Sequence, residues 1–300
     1  MRIIPMSQFS LASFTKSTLA TSLFVLGGCV IHISPSNATI ERQQQLSLSA
    51  SELTQLTIEA EAGQLIIKGD DTATDIRLDA KIFTVKSDDP YTLTLERRQQ
   101  RAVLVAKNQD SSGMQFYNGQ SPSIDLVVTV PSRLLLDITD GSGDLEINNI
   151  SGNIRIDDGS GNIELSNVGA LDIEDGSGNI SAYSVSGDVK LIDGSGNITF
   201  KQVSGKLVLE DGSGDIDINQ VQGTVSIDDD SGNIELNNVA QAVVINDGSG
   251  DLTVDQVEGV VTITDGSGNI RVTNTKGLTI LESGSGNVSV DNINGPVKLD

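Results

Sequence analysis

Eight aspartates, Asp140, Asp158, Asp175, Asp193, Asp211, Asp229, Asp247 and Asp265, each stand three residues before a glycine. Those glycines, Gly143, Gly161, Gly178, Gly196, Gly214, Gly232, Gly250 and Gly268, recur with a ninth, Gly286, every 18 residues and once after 17. Most copies read Asp-Gly-Ser-Gly followed by Asn or Asp, and the ninth begins with Ser283. Three chemistries suit such a motif: a phosphate cradle of glycine amides, a carboxylate row that holds cations, and a turn capped by its own side chain.

The phosphate cradle fails first. It needs a following Lys and a helix N-terminus, whereas each Gly-Ser-Gly here leads through Asn or Asp into an alternating apolar stretch. Calcium-binding β-rolls also use 18-residue coils, but they place an Asp shortly after the glycines in both halves. That position is apolar here, as at Ile163, Ile180, Ile198 and Ile216, and the motif fills only one half of each coil. A different calcium site stays open. Stacked coils would align the eight carboxylates, and at ~5 Å in water each neighbouring pair repels by about 0.8 kcal/mol, which a divalent cation would relieve. Equally, each Asp can accept its own turn's N–H groups and keep its charge in solvent. The glycines fit a corner that needs positive φ or close packing, and the Asn side chains fit a hydrogen-bonded ladder along the stack.

These residues sit on a repeat. In DGSGNIELSNV the apolar positions are Ile163, Leu165 and Val168; in VSGKLVLED they are Val203, Leu207 and Leu209. One copy cannot bury its apolar face, but nine stacked copies bury a continuous aliphatic column. At about 4.8 Å per coil the rod is roughly 43 Å long. Before it, from residue 52 to about 130, alternating segments such as LTIEAEAGQLIIKG, DIRLDAKIFTV and IDLVVTV read as strands. The polar loop over residues 108–123 reads as mobile. The expected organisation is a leader over residues 1–28, a flexible tether over 29–51, an N-terminal β block over 52–136 and a solenoid of nine repeats over 137–300.

The leader carries Arg2 and Lys16 and an apolar run over residues 17–26, too short to span a membrane. It ends in Leu26-Gly27-Gly28-Cys29, which resembles the bacterial lipoprotein signal and makes Cys29, the sole cysteine, the expected lipidation site. Val30 stands where Asp would retain a lipoprotein at the inner membrane, so the resemblance implies an outer-membrane lipoprotein. Without residues 1–28 the chain holds 17 basic and 41 acidic side chains. That balance excludes nucleic acid and bare anionic lipid as partners. Most of it belongs to the solenoid, where residues 137–300 hold 28 acidic and 7 basic side chains.

The junction Val130-Pro131-Ser132-Arg133-Leu134-Leu135-Leu136, followed by Asp140-Gly141-Ser142-Gly143-Asp144, resembles a bacterial envelope domain of unassigned biochemistry that carries the label of an adhesin. The likeness covers roughly residues 50–300 and implies an all-β, right-handed parallel β-helix-like solenoid. The functional expectation is a lipid-anchored, non-catalytic binding, adhesion or structural module whose partner is an envelope protein or glycan. One alternative is a calcium-binding repeat protein. Another is a β-helix enzyme acting on polysaccharide, which the composition disfavours. His32 is the only histidine, Trp is absent, and residues 137–300 contain only Tyr183 and Phe200 as aromatics. The chain reaches Asp300 inside a strand, so end-to-end self-association is also expected.

Overall fold

The structure is a computed structural model that describes residues 31–33, 40–108 and 122–299. The leader, Cys29 and most of the loop expected over 108–123 lie outside the described residues. Those described form strands, turns and bends without a helix, in one 14-stranded and one 13-stranded sheet.

Each coil supplies one strand to each sheet. After each Gly-Ser-Gly corner comes a six-residue strand, such as Ile163–Val168 or Ile180–Val185. A short back corner then leads to a five-residue strand, such as Leu171–Asp175 or Val189–Asp193. Strands pair in parallel with their copies one coil away and in strict register: Ile163 faces Ile180, which faces Ile198, which faces Ile216. A one-residue slip would expose every core side chain, so the alternation fixes the register.

The six-residue strand breaks that alternation at one place. Its fifth residue is left-handed in every coil, for example Asn149 (φ 60°), Asn167 (φ 54°), Gln202 (φ 63°) and Asn292 (φ 54°). The twist returns the sixth residue to the core, so Ile163, Leu165 and Val168 are all buried. Asn tolerates this backbone best among non-glycine residues. The recurring Asn, Gln or Ser before the last apolar residue is therefore a sequence signal in its own right.

The N-terminal block continues both sheets. Gln55–Ala60 pairs in parallel with Leu135–Asp140, and Leu65–Gly69 with Leu145–Ile150. Residues 55–69 are thus a further coil, with Glu61-Ala62-Gly63-Gln64 at its corner and Gly63 at φ 120°. Arg101–Asn108 and Ser123–Val130 stack outside it, again in parallel. Beyond them the direction reverses. Tyr91–Arg98, Asp75–Thr84 and Ile40–Ser49 add as antiparallel strands and close this end of the column.

Ile40–Ser49 corrects the expected tether, because residues 40–49 lie along Asp75–Thr84 and bury Leu46 and Leu48. The run of Gln43, Gln44 and Gln45 hid the alternation. Polar side chains on the outer face cost little when the backbone pairs fully.

A single aliphatic cluster runs from Leu46 to Ile280. Phe200, fully buried, is its largest side chain and stacks between Ala182 and Ile218. Ala182 leaves the volume that the ring fills, so Ala182→Leu is expected to overpack this layer and cost about 2 kcal/mol by chemical denaturation. At the far end of the described residues Val288, Val297 and Leu299 occupy core positions and are 40%, 48% and 55% exposed.

Candidate functional site

The five-residue strands bring the eight aspartates into one row. Asp140 pairs with Asp158, and the register continues through Asp175, Asp193, Asp211, Asp229 and Asp247 to Asp265. The row ends where a register shift follows Ile263 and Ser283 replaces the next Asp. At its other end the Asp position is taken by Ala60, whose carbonyl receives the Gly141 N–H.

Seven of the eight aspartates cap their own turns, accepting the N–H of the Ser two residues on, from 3.3 Å at Asp158 to 2.9 Å at Asp265. The capping role matches one of the two open expectations, but its solvent-facing charge does not. All eight side chains are buried, between 0% and 7% exposed. The Oδ2 of each has no hydrogen-bond partner, and Asp140 lacks one on Oδ1 as well. The turn needs the carboxylate beneath its own amides, and the coil above then covers it.

Burial raises these groups. Loss of solvation pushes Asp140, Asp193 and Asp229 up to about 6 from 3.8. Asp158, Asp211 and Asp247 rise to about 7, where negative neighbours on both sides add to the burial. Asp175 and Asp265 rise for the same first reason, burial. Asp229 also faces Asp230, Asp215 and Asp228. A row of this kind can bind protons. Calcium asks for six to eight oxygen ligands, whereas each gap offers two sealed carboxylates. No group of three or more metal-ligating side chains exists among the described residues.

The glycine corner supports the row. Gly196 has φ 144°, and a Cβ there would lie 1.7 Å from the Gly178 carbonyl oxygen. The same contact recurs in every coil, from 2.1 Å at Gly143 to 1.6 Å at Gly178. Gly196→Ala is expected to destabilise the fold by about 3 kcal/mol or more in urea melts. The first glycine of the motif is less constrained: a Cβ on Gly194 would lie 2.5 Å from the Gly176 carbonyl oxygen, and Asp230 stands at this position in one coil. Gly194→Asp should therefore cost much less, a contrast that checks the cause.

Outside the corner, the residues after Gly-Ser-Gly form the expected ladder. Asn162 Nδ2 donates to Asp144 Oδ1 at 3.0 Å, Asn179 Nδ2 to Asn162 Oδ1 at 3.0 Å, and the Asn197 N–H to Asn179 Oδ1 at 3.0 Å. Bonds of this type continue to Asn287.

A depression lies elsewhere, on the outer face of the 13-stranded sheet, with a volume of about 610 Å³. Its centre is the one 17-residue coil. That coil lacks a residue at the back corner, where only Gly169 and Ala170 separate Val168 from Leu171. Across the groove run Asp137, Arg155, Asp172 and Lys190 in strand register, with Asp188 and Lys206 at the corner. Sequence reasoning did not single out these six residues, although the shortened period marked the place.

A flat two-sheet solenoid with short corners and sealed carboxylates defines a repeat module that offers its faces and edges to the surroundings. The chain belongs to the Toastrack DUF4097 family, whose model matches residues 53–243 and again 169–295. It is similar to solved structures of a candidate adhesin from Parabacteroides merdae and of a candidate lipid binding protein from Parabacteroides distasonis. The first is 15% identical, with a TM-score of 0.45, and the likeness covers 88% of this chain and 100% of that one. The second is 20% identical, with a TM-score of 0.43, covering 86% and 98%. No curated protein matches the chain.

Proposed function

We propose that this protein is a lipid-anchored module of the bacterial cell envelope, held at the outer membrane through Cys29, which works by binding or as a structural element and not by catalysis. One observation carries the non-catalytic part. The eight aspartates of the row are sealed within the solenoid, where no substrate reaches them. Catalysis by carboxylates needs them within hydrogen-bond reach of the reacting group.

The anchor is tested by growing the producing bacterium with an alkyne-bearing fatty acid. The wild-type chain is expected to take up the label and sediment with membranes. Cys29→Ser should lose the label and appear in the soluble fraction. An unlabelled wild type would remove the anchor while leaving the binding module standing.

A second reading, calcium held along the aspartate row, is favoured by the partnerless Oδ2 atoms. Millimolar calcium at pH 8 would then raise the melting temperature of the body; no shift against a chelator control removes it. End-to-end self-association through Val288, Val297 and Leu299 predicts dimers in sedimentation experiments that Val297→Asp abolishes. A monomer at every concentration refutes it.

A further inference from the structure

From the groove at the short coil, we infer that the solenoid binds a sparsely charged glycan, neutral sugars bearing an occasional carboxylate or phosphate, laid along the axis between residues 135 and 208. This deepens the binding-module reading and rests on it.

Four observations converge there. First, the groove gathers three of the seven basic residues of the solenoid, Arg155, Lys190 and Lys206, on a body otherwise strongly acidic. Arg155 pairs with Glu174 at 3.8 Å, but Lys190 and Lys206 form no ion pair among the described residues. Second, these lysines stand on successive coils, since the Lys206 N–H is held by Asp188, two residues before Lys190. Two flexible ammonium groups set that way can close on one anionic substituent.

Third, Asp172 sits between Arg155 and Lys190 in the register, and its Oδ1 is buried with no donor. Asp172 is half-buried, and the accessible side of its carboxylate, flanked by cations, is suited to a hydroxyl and poorly to a ligand ammonium. Fourth, Leu135, 43% exposed, and Val208 give apolar contact toward opposite ends. A charge clamp, a hydroxyl acceptor and apolar surface along one line are the requirements of a sugar chain with an acidic branch.

Competing ligands fit worse. An extended peptide recognised by strand addition needs a free sheet edge, and the groove lies on a face whose backbone groups are already paired. A densely charged polyanion would be repelled by the solenoid. Within the groove, Asp137, Asp172 and Asp188 offset the three cations, so no run of ligand charges is favoured, and a single anionic substituent is held only locally, by Lys190 and Lys206.

The short coil explains the location. Removing one back-corner residue draws Gly169 and Ala170 inward between the longer corners on either side, so the surface dips where it would otherwise be a smooth ridge. A second two-residue back corner, Lys276-Gly277, lies near the far end of the stack, away from this groove. Only at Gly169-Ala170 do a shortened corner and neighbouring basic residues line the same groove.

The test uses saturation-transfer NMR and calorimetry on the described body with three probes: methylglucuronate-bearing xylotriose, maltotriose phosphate and neutral xylotetraose. The two acidic probes are expected to bind at least about tenfold more tightly than the neutral one, with weakening as salt rises. Lys190→Ala/Lys206→Ala should remove that preference at an unchanged melting temperature, because both side chains are exposed. Asp172→Leu should weaken all three probes alike. Equal binding of neutral and acidic probes, or a preference that survives the double lysine variant, overturns the inference but not the binding-module reading. If only one acidic probe binds, it identifies the substituent; if none binds, the inference fails.

Discussion

Between pH 8 and pH 5 the folded body will gain on the order of 5 kcal/mol in stability, raising its melting temperature by about 10 °C or more. The sign follows from the aspartate row. In the folded chain six of these carboxyls keep their protons up to about pH 6 or 7, and the other two are also raised. Unfolded, they release them near 3.8. Across that interval the folded state binds more protons, so the stabilisation is complete below about pH 4 and is lost as the pH rises through 6 to 7. Every tenfold gain in a carboxyl's proton affinity on folding corresponds to about 1.4 kcal/mol. Neighbours that share protons titrate together, which keeps the total well below eight independent contributions.

Acid has an opposing limit. Lys107 lowers Glu59 by hydrogen bond and charge, and Thr72 and Thr273 lower Asp70 and Asp255 by hydrogen bonds. Those contributions disappear as the pH falls below about 4. Maximum stability is therefore expected between about pH 4 and 6. Melting curves at constant ionic strength with a chelator present measure it; a profile that is flat, or that falls toward pH 5, contradicts a protonated row.

The second large effect is a stabilisation by charge removal. Asp158→Asn, Asp193→Asn and Asp229→Asn together are expected to raise stability at pH 8 by about 1–2 kcal/mol per site and to flatten the pH profile. The amide oxygen still accepts the Ser N–H, which Asp193 now holds at 3.2 Å. The new NH₂ group can donate to the partnerless Oδ2 of a neighbouring Asp, as Asn179 already does to Asn162 one corner away. At pH 5 the advantage should vanish, because a protonated carboxyl makes the same bond. Asp193→Ala removes the acceptor as well and should be about 1–2 kcal/mol less stable than Asp193→Asn at either pH. A triple variant less stable than wild type at pH 8 would show that the row depends on its charges, as a cation-filled row does. The variant also separates the row from the general fall in net negative charge on acidification.

The repeat, its two strands and its inward residues were legible because an apolar residue every second position, reset every 18, leaves one way to bury them. The glycines were legible too, since Gly196 and its copies meet both conditions expected of a corner. Less legible was Ile40–Ser49, where three consecutive glutamines mask a strand that only its partner reveals. The coil over residues 55–69 also escaped notice. Its corner reads Glu-Ala-Gly-Gln, which preserves the positive-φ glycine of the motif and little else.

By itself the sequence determined the period, the register and the presence of one carboxylate per turn, because these follow from local alternation and turn chemistry. Whether those carboxylates met water was a tertiary matter: an Asx-turn is the same bond in or out of solvent, and only the neighbouring coil closes over it. The groove was decided at the same level. A one-residue deletion is a small mark in the chain, yet between stacked corners it becomes a depression that brings Lys190, Lys206 and Asp172 to one surface.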